Sequence, residues 1–166
     1  MRKLTIGFIS TLLFSGQIMA EGLSDGFRGL RWGSEPLSTM YKSDKKANMQ
    51  GYMRQQEDLS ILGAKASDIY YYYYGGGLCR IEVSWWPQSP ETLNTVMVSL
   101  EKTWGQPLKK LDGNGLYDRE WLSSTGITNG IFIAQEDVRT PKDDWFINII
   151  IQGKECSKNA IESSGL

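Results

Sequence analysis

Ile69-Tyr70-Tyr71-Tyr72-Tyr73-Tyr74-Gly75-Gly76-Gly77-Leu78-Cys79-Arg80-Ile81-Glu82-Val83-Ser84-Trp85-Trp86 is the stretch on which the fold turns. Five consecutive tyrosines after an isoleucine favour a pleated strand, because aromatic side chains pack well across a sheet and lose rotamer freedom in a helix. Three glycines then permit a tight reversal, and an alternating run returns. On that return, Cys79, Ile81, Val83 and Trp85 fall on one face and Arg80, Glu82 and Ser84 on the other. The segment predicts a β-hairpin, and its uncharged, proline-free first arm belongs inside a sheet, where it cannot recruit another chain.

Working outward, Pro90 to Trp104 reads as a helix, with Ser89 as N-cap and Pro90 at the first helical position. Leu93, Val96, Met97, Leu100 and Trp104 draw one apolar stripe, and Gly105 and Pro107 end it. A shorter helix is expected after Ser34, opened by Pro36 and carrying Leu37, Met40 and Tyr41 inward, with Lys42 to Lys46 as its solvated end. Trp145, Ile147, Ile149 and Ile151 repeat the strand pattern, with Asn148 and Gln152 opposite. Weaker strands are expected at Phe27–Arg31, Tyr52–Glu57, Leu116–Ser123 and Thr128–Gln135, separated by turns at 112–115 and 125–126. The expected fold is α+β: an antiparallel sheet with two helices packed on one face, in two αβββ halves.

The ends of the chain bear on compartment. Arg2 and Lys3 followed by the apolar run Leu4 to Phe14 and by Met19-Ala20 read as a signal peptide over residues 1–20. An apolar run of roughly 11 residues is short of the roughly 20 that span a bilayer. Residue 21 is Glu rather than Cys, so no lipid anchor is expected after cleavage. Residues 21–156 are then one α+β domain and residues 157–166 a flexible tail. Without Arg2 and Lys3, 16 basic side chains face 19 acidic ones, a net of −3, which argues against nucleic acid and anionic membranes as partners. Cys79 and Cys156 are the two cysteines, and in an oxidising compartment they are expected to pair. The expected localisation is the periplasm, or secretion.

Histidine is absent, which removes Ser-His-Asp and Cys-His nucleophile systems and the imidazole metal ligands. Carboxylate chemistry remains open, but Glu57-Asp58, Asp118 with Glu120, Glu136-Asp137 and Asp143-Asp144 all read as strand ends or turns, and Asp112 with Asp143 and Asp144 lacks the spacing of a calcium loop. Gly75-Gly76-Gly77 lies between two strands and matches neither phosphate-binding fingerprint. No catalytic, cofactor or metal site is expected. With Ile69 facing the core, Tyr70, Tyr72 and Tyr74 line the second face of the sheet together with Trp86, and these four are the expected partner-binding residues.

Gly26-Phe27-Arg28-Gly29-Leu30-Arg31-Trp32-Gly33 resembles the opening of a group of small exported bacterial proteins whose mature domain begins Phe-Arg-Gly-Ile/Leu-x-Trp-Gly. Tyr70–Tyr74 before a glycine turn, Leu78–Val83, and Trp104-Gly105-Gln106-Pro107 are similar to later features of that group. The resemblance implies a small envelope domain and supplies no catalytic residues. The expectation for function is a non-enzymatic periplasmic protein that binds another protein or an envelope polymer, with an inhibitor or immunity-type protein as one version. The alternative is a small cell-wall hydrolase using Asp and Glu.

Overall fold

A computed structural model describes residues 25–113, 116–122, 128–136, 144–153 and Cys156. In chain order the elements are β1 (Gly26–Phe27), β2 (Leu30–Arg31), β3 (Met40–Lys46), β4 (Met49–Arg54), β5 (Ser60–Ile61), β6 (Ala64–Lys65), β7 (Asp68–Tyr74) and β8 (Gly77–Gln88). Then come α1 (Pro90–Trp104), β9 (Lys109–Gly113), β10 (Leu116–Leu122), β11 (Thr128–Glu136) and β12 (Trp145–Gly153). The signal peptide and the tail expected at the two ends lie outside the described residues.

Eight strands form one antiparallel sheet in the order β3-β4-β7-β8-β12-β11-β10-β9. The first four run as a meander to the middle. Helix α1 then carries the chain to the far edge, and β9 to β12 return as a second meander until β12 pairs with β8. Each half therefore has four strands rather than three, and the second alone is preceded by a helix. The two-helix α+β arrangement in αβββ halves is incorrect: among the described residues the chain is mostly β, with one α-helix.

The missing helix is at Pro36–Tyr41. Met40 N–H donates to the Leu37 carbonyl at 3.0 Å, closing one turn, after which Met40 and Tyr41 pair with Arg54 and Met53 in the sheet. Ser38 and Thr39 are weak helix formers, and a single turn cannot offset its nucleation cost. Strand pairing instead brings Met40 against the core at Tyr73 and leaves Leu37 and Tyr41 exposed, so the helical spacing of these three is coincidental.

Helix α1 follows its sequence signals. The Ser89 side chain accepts from Thr92 N–H, and Leu93, Val96 and Leu100 are buried against the sheet. Trp104 packs edge-on against Trp121 of β10 at 5.5 Å between ring centroids, and the Trp121 indole donates to the Gly105 carbonyl at 2.9 Å. The helix thus ends where two tryptophans lock it to the second meander.

Over the first meander, the Gly26–Ser34 segment takes the place of a helix. Phe27 and Leu30 are buried in the core, and the Arg28 guanidinium donates to Glu57 and to the carbonyls of Asp58 and Ser60. Gly33 N–H donates to the Leu78 carbonyl and Leu78 N–H to the Ser34 carbonyl, each at 2.8 Å, which stitches the segment to the start of β8. Trp32 lies on the end of β12, where a Cβ at Gly153 would come within 2.8 Å of its ring. Only glycine at position 153 allows that approach, so Phe27, Leu30 and Trp32 of the Phe-Arg-Gly-Leu-Arg-Trp-Gly pattern each have a packing reason.

Both sheet edges carry lysine, Lys42, Lys45 and Lys46 on β3 and Lys109 and Lys110 on β9. Charged edges oppose strand addition by another chain, and β3 is further broken by an irregularity between Lys42 and Lys45. The tyrosine strand β7 is third in the order, paired on both sides by β4 and β8.

Candidate functional site

The central part of the face opposite α1 is built from alternate residues of β4, β7, β8 and β12. Cross-strand rows are Tyr72, Arg80 and Gln152, then Tyr70, Glu82 and Ile150, then Asp68, Ser84 and Asn148. Trp86 and Phe146 continue the face beyond the last row, on either side of a break in the β8–β12 register. It divides into a closed end and an open end.

At the closed end, long polar side chains bury one another. Tyr72 is 1% exposed and donates its hydroxyl to both Asp44 carboxylate oxygens at 3.2 and 3.1 Å. Glu82, 3% exposed, accepts from Lys46 Nζ at 2.5 Å and pairs with Arg80. The Lys46 ammonium also lies 5.4 Å from the Tyr72 ring centroid. Two cationic partners offset the cost of burying this carboxylate, and loss of either would leave it less compensated. Asp44 reaches Tyr72 across β4 because residue 51 is glycine; a Cβ there would meet Asp44 Oδ1 at 2.7 Å and the Asp44 carbonyl at 2.8 Å. Gly51→Ala is expected to push β3 outward, break the Asp44–Tyr72 bond and cost about 1–3 kcal/mol in urea unfolding. An unchanged midpoint would show that the close approach is unimportant.

The disulfide belongs to this end too. Cys79 and Cys156 are bonded and buried with Met49 and Tyr72. Simple alternation places Cys79 beside Ile81 on the helix-side face and Arg80 opposite to it. A bulge corrects this: Tyr72 pairs with Arg80 but Tyr73 with Leu78, so Cys79 is the extra residue and its side chain joins the second face. Leu78 takes the core position instead.

The tyrosines themselves alternate as expected from Ile69. Tyr71 and Tyr73 are in the main core, while Tyr70, Tyr72 and Tyr74 are on the second face. Burial holds the phenols of Tyr71 and Tyr72 well above tyrosine's ordinary value, with Glu57 and with Glu82 and Asp44 adding to the effect, and pushes Tyr73 up to about 12. The folded chain therefore favours the protonated phenol, and this contribution is complete below the unfolded value of about 10 and lost as pH rises past the folded values. Alkaline titration should show these three ionising only together with loss of near-ultraviolet circular dichroism. Ionisation of every tyrosine near pH 10 (roughly the free value) with the fold intact would contradict it.

At the open end, Trp86 is 48% exposed and Phe146 39%, and Pro87, next to Trp86 in the chain, is exposed as well. The Trp86 backbone is fixed by Ser67, whose hydroxyl accepts from its N–H at 2.8 Å and donates to its carbonyl at 2.9 Å. Of the four residues expected to bind a partner, Trp86 is exposed, Tyr70 and Tyr74 are half-buried, and Tyr72 is enclosed. Trp86 lies beyond the tyrosine rows, not among them. Phe146 is absent from the residues expected there, although inward Trp145 and Ile147 already imply that residue 146 points the other way.

The acidic pairs are dispersed. Glu57 accepts from Arg28 at 2.8 Å and from Tyr71 at 2.9 Å and ties the first turn to the sheet, while Asp58 accepts from Ser60 N–H, which lowers its pKa. Asp112 pairs with Arg119, Asp118 and Glu120 are half-buried on β10, and Asp137 and Asp143 lie outside the described residues. Among the described residues no three of Cys, Asp and Glu lie close enough to hold a metal ion. A groove of about 470 Å³ between β6 and the first turns of α1 is lined by Lys65, Ser67, Gln88, Glu91, Thr92 and Thr95. Its carboxylate, Glu91, is engaged by the Ser89 hydroxyl, which lowers its pKa and leaves it a helix-capping role. No described helix is long and apolar enough to cross a membrane. No protein-family profile, curated protein or solved structure matches this chain.

Proposed function

We propose that this chain is a non-enzymatic interaction protein of the bacterial envelope, exported to the periplasm, that binds a protein partner through the open end of its second sheet face. The observation that supports this most is the pair Trp86 and Phe146: two large aromatic rings held on rigid strands, exposed, and outside the core cluster. Exposed aromatics on a fixed scaffold bring large contact area at little entropic cost, which is the usual make-up of an interface anchor. The buried disulfide suits an oxidising compartment, as does the signal read at residues 1–20. An inhibitor or immunity-type protein is the concrete version favoured here.

The test is site-specific photocrosslinking in cells that make the protein. A benzoylphenylalanine at position 86 should yield a discrete protein adduct, while the same group at exposed Val98 on the outer side of α1 should not. Equal labelling at both positions would refute the assignment of the face. Turnover of peptidoglycan by the purified chain, abolished by one Asp or Glu substitution, would establish the hydrolase alternative instead.

A further inference from the structure

We infer that the open end of the second face recognises a cationic protein segment, an arginine- or lysine-bearing stretch of the partner. This rests on the interaction reading above and adds the chemistry of the partner to it. Asp68 occupies the row next to Trp86, and Asp144 lies just ahead of β12, two residues before Phe146. Both carboxylates are half-buried, and neither forms a salt bridge with a described residue. Of the cations on this face, Arg80 and Lys46 are both committed to Glu82 at the closed end, and Lys65 lines the groove beside α1.

The open end therefore combines two aromatic surfaces, an amide and a hydroxyl at Asn148 and Ser84, and two carboxylates lacking described counter-ions. A guanidinium or ammonium laid on the Trp86 or Phe146 ring gains from the ring's quadrupole, and a carboxylate within reach adds a charge-assisted hydrogen bond. An anionic partner would meet Asp68 and Asp144 as like charges, which costs affinity and slows encounter. A neutral polymer would use the rings but leave the carboxylates desolvated without a partner.

The test uses the mature full-length chain and three probes: a capped peptide of alternating arginine and glycine, its glutamate counterpart, and soluble peptidoglycan fragments. The readout is the Trp86 indole N–H resonance, assigned with Trp86→Phe. The arginine peptide should shift that resonance saturably, with affinity falling as salt is raised and by about tenfold in Asp68→Asn/Asp144→Asn. Should the double variant fold poorly, the salt series on the unaltered protein still separates a charge-driven contact from a neutral one. No shift with the arginine peptide, an equal or larger shift with the glutamate peptide or the glycan fragments, or an affinity indifferent to salt and to both substitutions would each overturn the inference. A crosslinked adduct at position 86 alongside any of those results would leave the interaction reading standing; absence of the adduct would remove that reading itself.

Discussion

Trp85→Ala is expected to lower the unfolding free energy by about 3–5 kcal/mol, and Trp86→Ala by no more than about 0.5 kcal/mol. The two residues are neighbours of identical chemistry, so the difference is purely one of side. Trp85 is fully enclosed between Ile147 and the helix-side core, and truncation there loses its transfer free energy and leaves a cavity that rigid strands cannot collapse to fill. Trp86 is half-exposed, and its backbone bonds to Ser67 survive truncation. Urea unfolding followed by far-ultraviolet circular dichroism measures both. Comparable losses at the two positions would mean that Trp86 is a packing residue, and the proposal that the open end docks a partner would fail.

Removing the disulfide is the second large effect. Cys79 and Cys156 are 77 residues apart, and on a chain-entropy account closing a loop of that size contributes about 4 to 5 kcal/mol, less whatever the native geometry resists. Cys79→Ser/Cys156→Ser should accordingly lower the unfolding free energy by about 4 kcal/mol. The two sulfurs are buried with Tyr72 and Met49, so a small-molecule reductant added to the native protein should act no faster than the chain opens. A double variant with the parent's midpoint, or reduction of the folded protein at the rate of a free disulfide, would contradict this account.

How much of this is legible in the residues depends on the range of the physics involved. The hairpin at Ile69–Trp85 and the helix at Pro90–Trp104 are readable because their signals are local: aromatic strand formers around glycines in one case, an N-cap, a proline and a 3.6-residue stripe in the other. Leu37, Met40 and Tyr41 mislead because three residues suit a helical turn and a strand entry equally well, and pairing with β4, a non-local contact, decides between them. The edge strand at Lys109–Gly113 and the short hairpin of β5 and β6 carry no pattern of their own. At the candidate site, alternation alone points to Trp86 and is enough to reach Phe146, whereas the enclosure of Tyr72 is beyond it. That enclosure depends on Asp44 from one strand, Lys46 beside it, and a glycine at position 51 between them.

From its residues alone, this chain determines its main hairpin, its one described helix with both caps, the inward and outward tyrosines, and an expected bond between its two cysteines, since period and composition act over a few neighbours. Only the tertiary structure decided that the first half is covered by a looped Phe-Arg-Gly-Leu-Arg-Trp-Gly segment instead of a helix, that a bulge turns Cys79 to the second face, and that this face is sealed at one end and open at the other. Those outcomes are set by which strands lie side by side, and by whether a side chain from a distant part of the chain arrives to cover a given ring.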